Sequence, residues 1–212
     1  LTLSGEAVTG DNGSGVRLGS RYAFEDRGEA YLNWTALTGR ENENSLALGH
    51  RSQVADRFTI FQEHRFDEGP GRSGQQGSSY GLIFQPSDGW TMELDSFEGQ
   101  SRRAAGTFDR TAHGLTVRYG DATWTVVDRL EFRTDESATD SLRQWVTTHR
   151  LSGRVDDSLS IVGRFDMTLT EDRVSEAKRS EFAEIDLGLA WRPVDHDRWN
   201  VLANYSYLHD LD

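Results

Sequence analysis

Phe182-Ala183-Glu184-Ile185-Asp186-Leu187-Gly188-Leu189-Ala190-Trp191 is the stretch on which the reading of the fold turns. Successive side chains of an extended strand point to opposite faces. Ala183, Ile185, Leu187, Leu189 and Trp191 therefore share one face, and Glu184, Asp186 and Gly188 share the other. The same alternation recurs elsewhere. Leu159, Ile161, Gly163, Phe165, Met167 and Leu169 oppose Ser160, Val162, Arg164, Asp166 and Thr168. Ala122, Trp124, Val126, Leu130 and Phe132 oppose Thr123, Thr125, Arg129, Glu131 and Arg133, with Asp128 interrupting the apolar side. Val16, Leu18, Tyr22 and Phe24 oppose Arg17, Gly19 and Arg21. In 142–155, the parity that keeps Arg150 on the polar side turns His149 to the apolar side, and this is the expected facing.

Outward from these segments, connections of two lengths alternate. Tight turns are expected at Asp26-Arg27-Gly28, Gln53-Val54-Ala55, Ser87-Asp88-Gly89, Gly120-Asp121, Asp156-Asp157-Ser158 and Val194-Asp195-His196-Asp197. Long polar loops are expected at 10–14, 39–44, 66–78, 100–109, 134–141 and 171–181, with 66–78 the longest and mobile. Strict alternation describes an up-and-down antiparallel meander with all tight turns at one end. Transmembrane β-barrels have that asymmetry, with the longer loops extracellular. About thirteen strands are expected over a single domain, residues 1–212, forming a complete or partial barrel of about 12–14 strands.

Composition bounds the alternatives. The 212 residues suit one all-β domain, and the absence of cysteine removes disulfide frameworks and thiolate metal sites. No apolar run reaches the length of a membrane-spanning helix, and a mean hydropathy of −0.66 leaves a spanning barrel open, since its signal per strand is weak. A net charge of −12 argues against nucleic-acid binding, which needs a cationic surplus on one surface. The three prolines, Pro70, Pro86 and Pro193, lie in or beside connections, so the strands are uninterrupted.

A soluble β-sandwich also alternates, so the question is which face meets water. Many of the segments run to about ten residues, the length of a strand crossing the hydrocarbon layer at a tilt, where globular strands are nearer five or six. Trp90, Trp124, Trp191 and Trp199 gather beside tight turns. An interfacial aromatic girdle at one membrane surface explains that grouping, and tryptophans capping a sandwich core is the alternative.

The stretch Trp191-Arg192-Pro193-Val194-Asp195-His196-Asp197-Arg198-Trp199-Asn200, followed by Asn204-Tyr205-Ser206-Tyr207-Leu208, resembles a recurrent hairpin of large bacterial outer-membrane β-barrel proteins. Val127-Asp128-Arg129-Leu130-Glu131-Phe132-Arg133 is similar to another strand of that kind. The resemblance implies a barrel in the bacterial outer membrane, in some members joined to a larger surface protein. It implies no particular substrate. Complete barrels of this kind commonly finish in a strand with a terminal aromatic, and Leu208-His209-Asp210-Leu211-Asp212 departs from that pattern, so an internal segment of a longer barrel is expected.

Candidate pore-lining residues are Arg17, Arg21, Glu93, Asp95, Arg129, Glu131, Arg133, Arg164, Asp166, Glu184 and Asp186. A mixed-charge wall of this kind lines a water-filled interior, and the same charges also pair across strands to hold the wall together. The expected function is a pore for small hydrophilic solutes, or the membrane anchor of a larger surface protein, with membrane lipid as partner. The alternative is a soluble all-β binding module that uses its long loops. No enzymatic activity, cofactor or metal is expected: the histidines have no ligand spacing, Asp195-His196-Asp197 reads as turn chemistry, and no nucleophile elbow, phosphate loop or calcium loop occurs.

Overall fold

The computed structural model describes residues 1–10, 13–24, 27–39, 43–69, 72–103, 106–193 and 199–211. The described residues form strands and turns only: β1 (Thr2–Gly10), β2 (Gly13–Phe24), β3 (Gly28–Gly39), β4 (Glu43–Ala55), β5 (Phe58–Gly69), β6 (Arg72–Phe84), β7 (Trp90–Arg103), β8 (Gly106–Gly120), β9 (Trp124–Glu136), β10 (Ser141–Arg154), β11 (Leu159–Asp172), β12 (Lys178–Trp191) and β13 (Val201–Leu211). They make one 13-stranded sheet in sequential order, with β1 and β13 as its end strands. That is the expected all-β antiparallel meander, and one continuous sheet is not the paired layers of a sandwich.

Two compact units divide the chain. The first is Leu1–Phe84 with Asp95–Ala112 and Asp135–Asp140; the second is Gln85–Leu94 with His113–Thr134 and Ser141–Asp212. In the first, Arg17 pairs with Glu6 on one side and Thr35 on the other, and Glu29 pairs with Ala23 and Arg51. In the second, Arg164 lies opposite Arg150 and Asp186, while Phe165 lies opposite His149 and Ile185. Because paired residues share a face, these registers gather charges on one side and apolar groups on the other.

Burial then decides which side is which. Leu187 is 53 % exposed, Leu130 47 % and Leu94 55 %, all on the apolar face. The polar face holds Thr116 at 1 % and Glu131 at 7 %, and Thr170 is buried there as well. This is the reverse of a soluble protein. A leucine side chain left in water forgoes about 1.5–3 kcal/mol of transfer free energy, so a whole face of them is stable only against an apolar medium.

The connections differ from expectation. The described part of the supposed long loop 66–78 is strand: β5 runs to Gly69, β6 starts at Arg72, and Phe66 pairs with Gln76 and Asp67 with Gln75. Likewise β3 and β4 reach Gly39 and Glu43, β7 and β8 reach Arg103 and Gly106, and only 137–140 and 173–177 remain between the strands that follow. Glycine, serine and glutamine still carry a full set of backbone donors and acceptors. The ladder therefore continues beyond the apolar belt, where side-chain alternation no longer marks it. The expected turn at 194–197, like Asp26, lies outside the described residues.

The tight turns on the opposite end are held by side-chain caps. The backbone N–H groups of Thr123 and Trp124 each donate to Asp121 Oδ1 at 2.7 Å, and the Tyr119 hydroxyl donates to Oδ2 at 2.6 Å. These three donors hold the Asp121 carboxyl below the usual carboxylate range, the Tyr119 bond contributing most. Asp156 repeats the motif with Ser158 and Leu159. At Gly89, φ is +78° and a Cβ would lie 2.6 Å from the Gly120 carbonyl oxygen, so the turn admits only glycine.

Two outcomes follow. Leu187→Arg should hinder insertion into phospholipid vesicles by about 2–4 kcal/mol, and Ser152→Arg on the opposite face should not, as read by urea titration of folded fraction. Asp121 stabilises the fold above the ordinary carboxylate pKa, and that contribution is lost as pH falls through its lowered value. Asp121→Ala should therefore melt lower than wild type at neutral pH and converge with it in acid, as measured by heat-modifiable gel mobility.

Candidate pore-lining face

The charged side of the second unit is built from alternate residues of β8 to β12. At its centre Glu131 sits between two guanidinium groups: Arg129 donates to Glu131 Oε2 at 2.6 Å, and Arg133 donates to Oε1. Arg129 also donates to the hydroxyl of Thr116 at 2.9 Å, which joins β8 to β9 through side chains. Arg164 donates through Nε to Asp166 at 2.5 Å and lies 3.6 Å from Glu184. Asp186, opposite Arg164, accepts from the Ser206 hydroxyl at 2.6 Å. Glu93 pairs with Arg118 at 2.7 Å.

Arg150 is an exception. It faces Arg164 directly across the ladder, and among the described residues no carboxylate is paired with it. Like charges directly opposite each other in a ladder repel.

In the first unit the polar face carries Arg17 against Glu6 at 3.3 Å and Arg21 against Glu29. Tyr31 lies over Gly49, where a Cβ would come within 2.3 Å of its ring, and donates to Glu63 at 2.5 Å. Arg110 grips Asp135 through two bonds of 2.6 Å each. Asp95 belongs to this unit as well, on β7.

Nine of the eleven candidates take part in short-range ion pairs, within a strand or between neighbouring strands, and Asp186 accepts from Ser206. Sequence reasoning missed Arg118, Thr116, Arg110 and Asp135. The signal was present as period 2 in β8, where Arg110, Thr116 and Arg118 share parity with Ala112 and Gly114. The short Ala112 and Gly114 gave that face no charge contrast.

Trp90 and Trp124 begin β7 and β9, Trp191 ends β12, and Trp199 precedes β13. Trp90 packs on Tyr119 with ring centroids 4.9 Å apart, and Gly153 leaves room for the Trp124 ring. Toward the other end of β10, Trp145 packs on Phe132 at 4.8 Å.

Polar residues interrupt the apolar face in each unit. His149 Nδ1 lies 2.7 Å from Asp128 Oδ1, and its ring stacks on Phe165 at 5.6 Å beside a shallow groove of 390 Å³ lined by Val126, Leu151, Ile185 and Leu187. The parity expected for His149 is the one the register gives. In the first unit, His64 bridges Gln62 and Ser78 at 2.9 and 2.7 Å.

No protein-family model matches the chain, and no curated protein is similar to it in sequence. Solved structures are similar in fold. OmpT folded in vitro, an outer membrane protein of Vibrio cholerae, superposes with a TM-score of 0.56 at 8 % identity, covering 98 % of this chain and 84 % of its own. Its loop L8 deletion mutant gives 0.58 at 8 % identity, covering 99 % and 91 %. An anion-selective porin from Comamonas acidovorans gives 0.55 at 10 % identity, covering 97 % and 81 %.

The fold is that of bacterial outer-membrane β-barrels. The similar structures are outer-membrane proteins, in agreement with the location expected from the resemblance. In such a barrel strand the apolar face is the lipid side and the charged face the interior side.

Glu131 is the keystone of the charged side. Glu131→Ala leaves Arg129 and Arg133 facing each other and should destabilise the folded state by about 1–3 kcal/mol, as measured by urea unfolding in vesicles. Glu93→Ala, which frees one more exposed arginine, should cost less than about 1 kcal/mol.

Proposed function

We propose that this chain forms, as a single domain, the wall of a passive outer-membrane pore for small hydrophilic solutes, and that it is not an enzyme. The observation that carries this reading is the inverted distribution of side chains: buried hydroxyls and ion pairs on one face of the sheet, exposed leucines on the other. A charged inner wall keeps a water path wet, and its fixed charges select permeants by sign. Arg17, Arg21, Glu93, Asp95, Arg129, Glu131, Arg133, Arg164, Asp166, Glu184 and Asp186 are the proposed lining. The four rim tryptophans Trp90, Trp124, Trp191 and Trp199 are the proposed girdle, holding one end at the headgroup level.

The fold similarity to an anion-selective porin supports the pore reading. Anchoring a larger surface protein would use the same wall without requiring conduction, so conductance separates the two roles. The soluble binding module would need a second layer to cover the apolar face of the described strands.

Planar-bilayer recording tests this directly. The refolded protein should give discrete conductance steps, and Arg164→Glu or Arg129→Glu should move the reversal potential in a salt gradient toward cation preference. Unchanged selectivity in both variants would remove these residues from the water path, and absence of any conductance would leave the anchor role.

A further inference from the structure

On the polar face of the first unit, at the end where β2 turns into β3, a shallow open pocket of 480 Å³ is lined by Arg21, Arg27, Arg51, Glu29, Gln53 and Thr59 among others. Its size is in the range of small-molecule sites. Three guanidinium groups meet one carboxylate there. Glu29 lies directly opposite Arg51 in the ladder, yet its carboxylate is engaged by Arg21 from the neighbouring strand. Arg27 and Arg51 are thus left with no carboxylate partner among the described residues.

Main-chain contacts tie the backbone of both arginines to the turn and to β4. The Gln53 N–H donates to the Arg27 carbonyl oxygen at 2.5 Å, tying the turn to β4. Gly28 allows the close approach, since a Cβ there would fall 2.8 Å from the Arg51 carbonyl oxygen. The Gln53 side chain is itself held, its Nε2 donating to the Asp56 carbonyl oxygen at 2.9 Å. The Thr59 hydroxyl completes the polar lining.

We infer that this cavity binds a dianionic oxyanion group, of the phosphate or dicarboxylate class, between Arg27 and Arg51. Counting Arg21, Arg27 and Arg51 against Glu29 leaves two positive charges, which a dianion matches. Guanidinium forks present paired N–H donors at the spacing of two oxyanion oxygens, and charge-assisted bonds of this kind are the strong ones. The Thr59 hydroxyl adds a neutral donor. In a chain of net charge −12 a local cationic pocket draws in such a solute where the rest of the surface charge repels it. The inference deepens the pore reading by naming a solute class at one end of the wall, but binding itself requires no conduction.

Titration calorimetry of the full chain refolded in zwitterionic detergent tests it, with inorganic phosphate and, separately, succinate as probes in mildly alkaline buffer. Phosphate should bind saturably, and Arg27→Gln with Arg51→Gln should weaken it by about tenfold or more, a change of about 1.4 kcal/mol. Lys178→Gln with Arg179→Gln, which removes the same charge elsewhere, should leave it unchanged. Succinate binding at the same pair assigns dianions generally, and succinate silence restricts the site to phosphates. Heat-modifiable mobility checks that each variant folds, and the single substitutions serve if the double does not. No saturable binding of either probe, or binding that the double variant leaves intact, overturns the inference. A silent bilayer with phosphate binding retained defeats the pore alone, and a conducting bilayer without binding defeats the site alone.

Discussion

One constraint organises this molecule: a single sheet presents its two faces to two different solvents, and each strand must satisfy both with alternate residues. The alternation in β11 and β12 is therefore a partition and not merely an amphipathic pattern. Phe165, Ile185 and Leu187 occupy the apolar medium, while Arg164, Asp186 and Glu184 occupy the wet one. A slip of one residue would exchange the two sets completely, which is why register is so strongly specified here. The ladders absorb the backbone polar groups along the strands, which lipid could not hydrogen-bond.

The charged face follows from that constraint. Once lipid takes the large apolar residues, the inner side of the sheet is left to hydroxyls and charges, and these must settle one another's fields. They do so locally: Glu131 between two arginines, Arg164 beside Asp166 and within reach of Glu184, Arg118 against Glu93. The exposed pairs among these, such as Arg118 with Glu93, contribute little stability each, while the buried Glu131 contributes more. Not every cation is paired in this way. Arg150 opposite Arg164, and Arg27 with Arg51 around their cavity, are cations whose neutralisation the described residues do not supply. The Asp128 and His149 pair shows the complementary behaviour on the lipid side, where two ionisable groups meet at 2.7 Å rather than face the apolar medium separately.

Much of this was legible in the sequence, and the physical reason is period 2. Alternation in 182–191 and 159–169 assigned the faces of β11 and β12, the cost of turning Arg150 toward lipid placed His149 with the apolar set, and the succession of segments and turns along the chain gave about thirteen strands in meander order. Alternation fails where one face loses its contrast. Beyond the apolar belt the residues Gly74, Gln75, Gln76 and Gly77 look like a loop because nothing distinguishes their two sides, yet Gln75, Gln76 and Gly77 pair with Asp67, Phe66 and Arg65, and the register shifts only past Asp67. The expected contrast between short and long turns disappeared for the same reason. Pairing between strands was illegible too. Asp128 stood out as a break in an apolar face and His149 as an odd outward residue, but only the register of neighbouring strands brings them together. The cavity at Arg27 and Arg51 depends on which arginine Glu29 engages, a choice made by side-chain reach and not by spacing.

The opposition of the two faces is most directly measured by nitroxide scanning along 182–191, single cysteines being introduced into a chain that has none of its own. In phospholipid vesicles, labels at 183, 185, 187 and 189 should be relaxed by lipid-soluble oxygen, and labels at 184, 186, 188 and 190 by a water-soluble nickel chelate. The two accessibilities should oscillate with period 2 and in opposite phase. Equal aqueous accessibility at both sets, or oscillation in the reverse phase, would contradict the assignment of lipid to the leucine face and with it the account of the molecule given above.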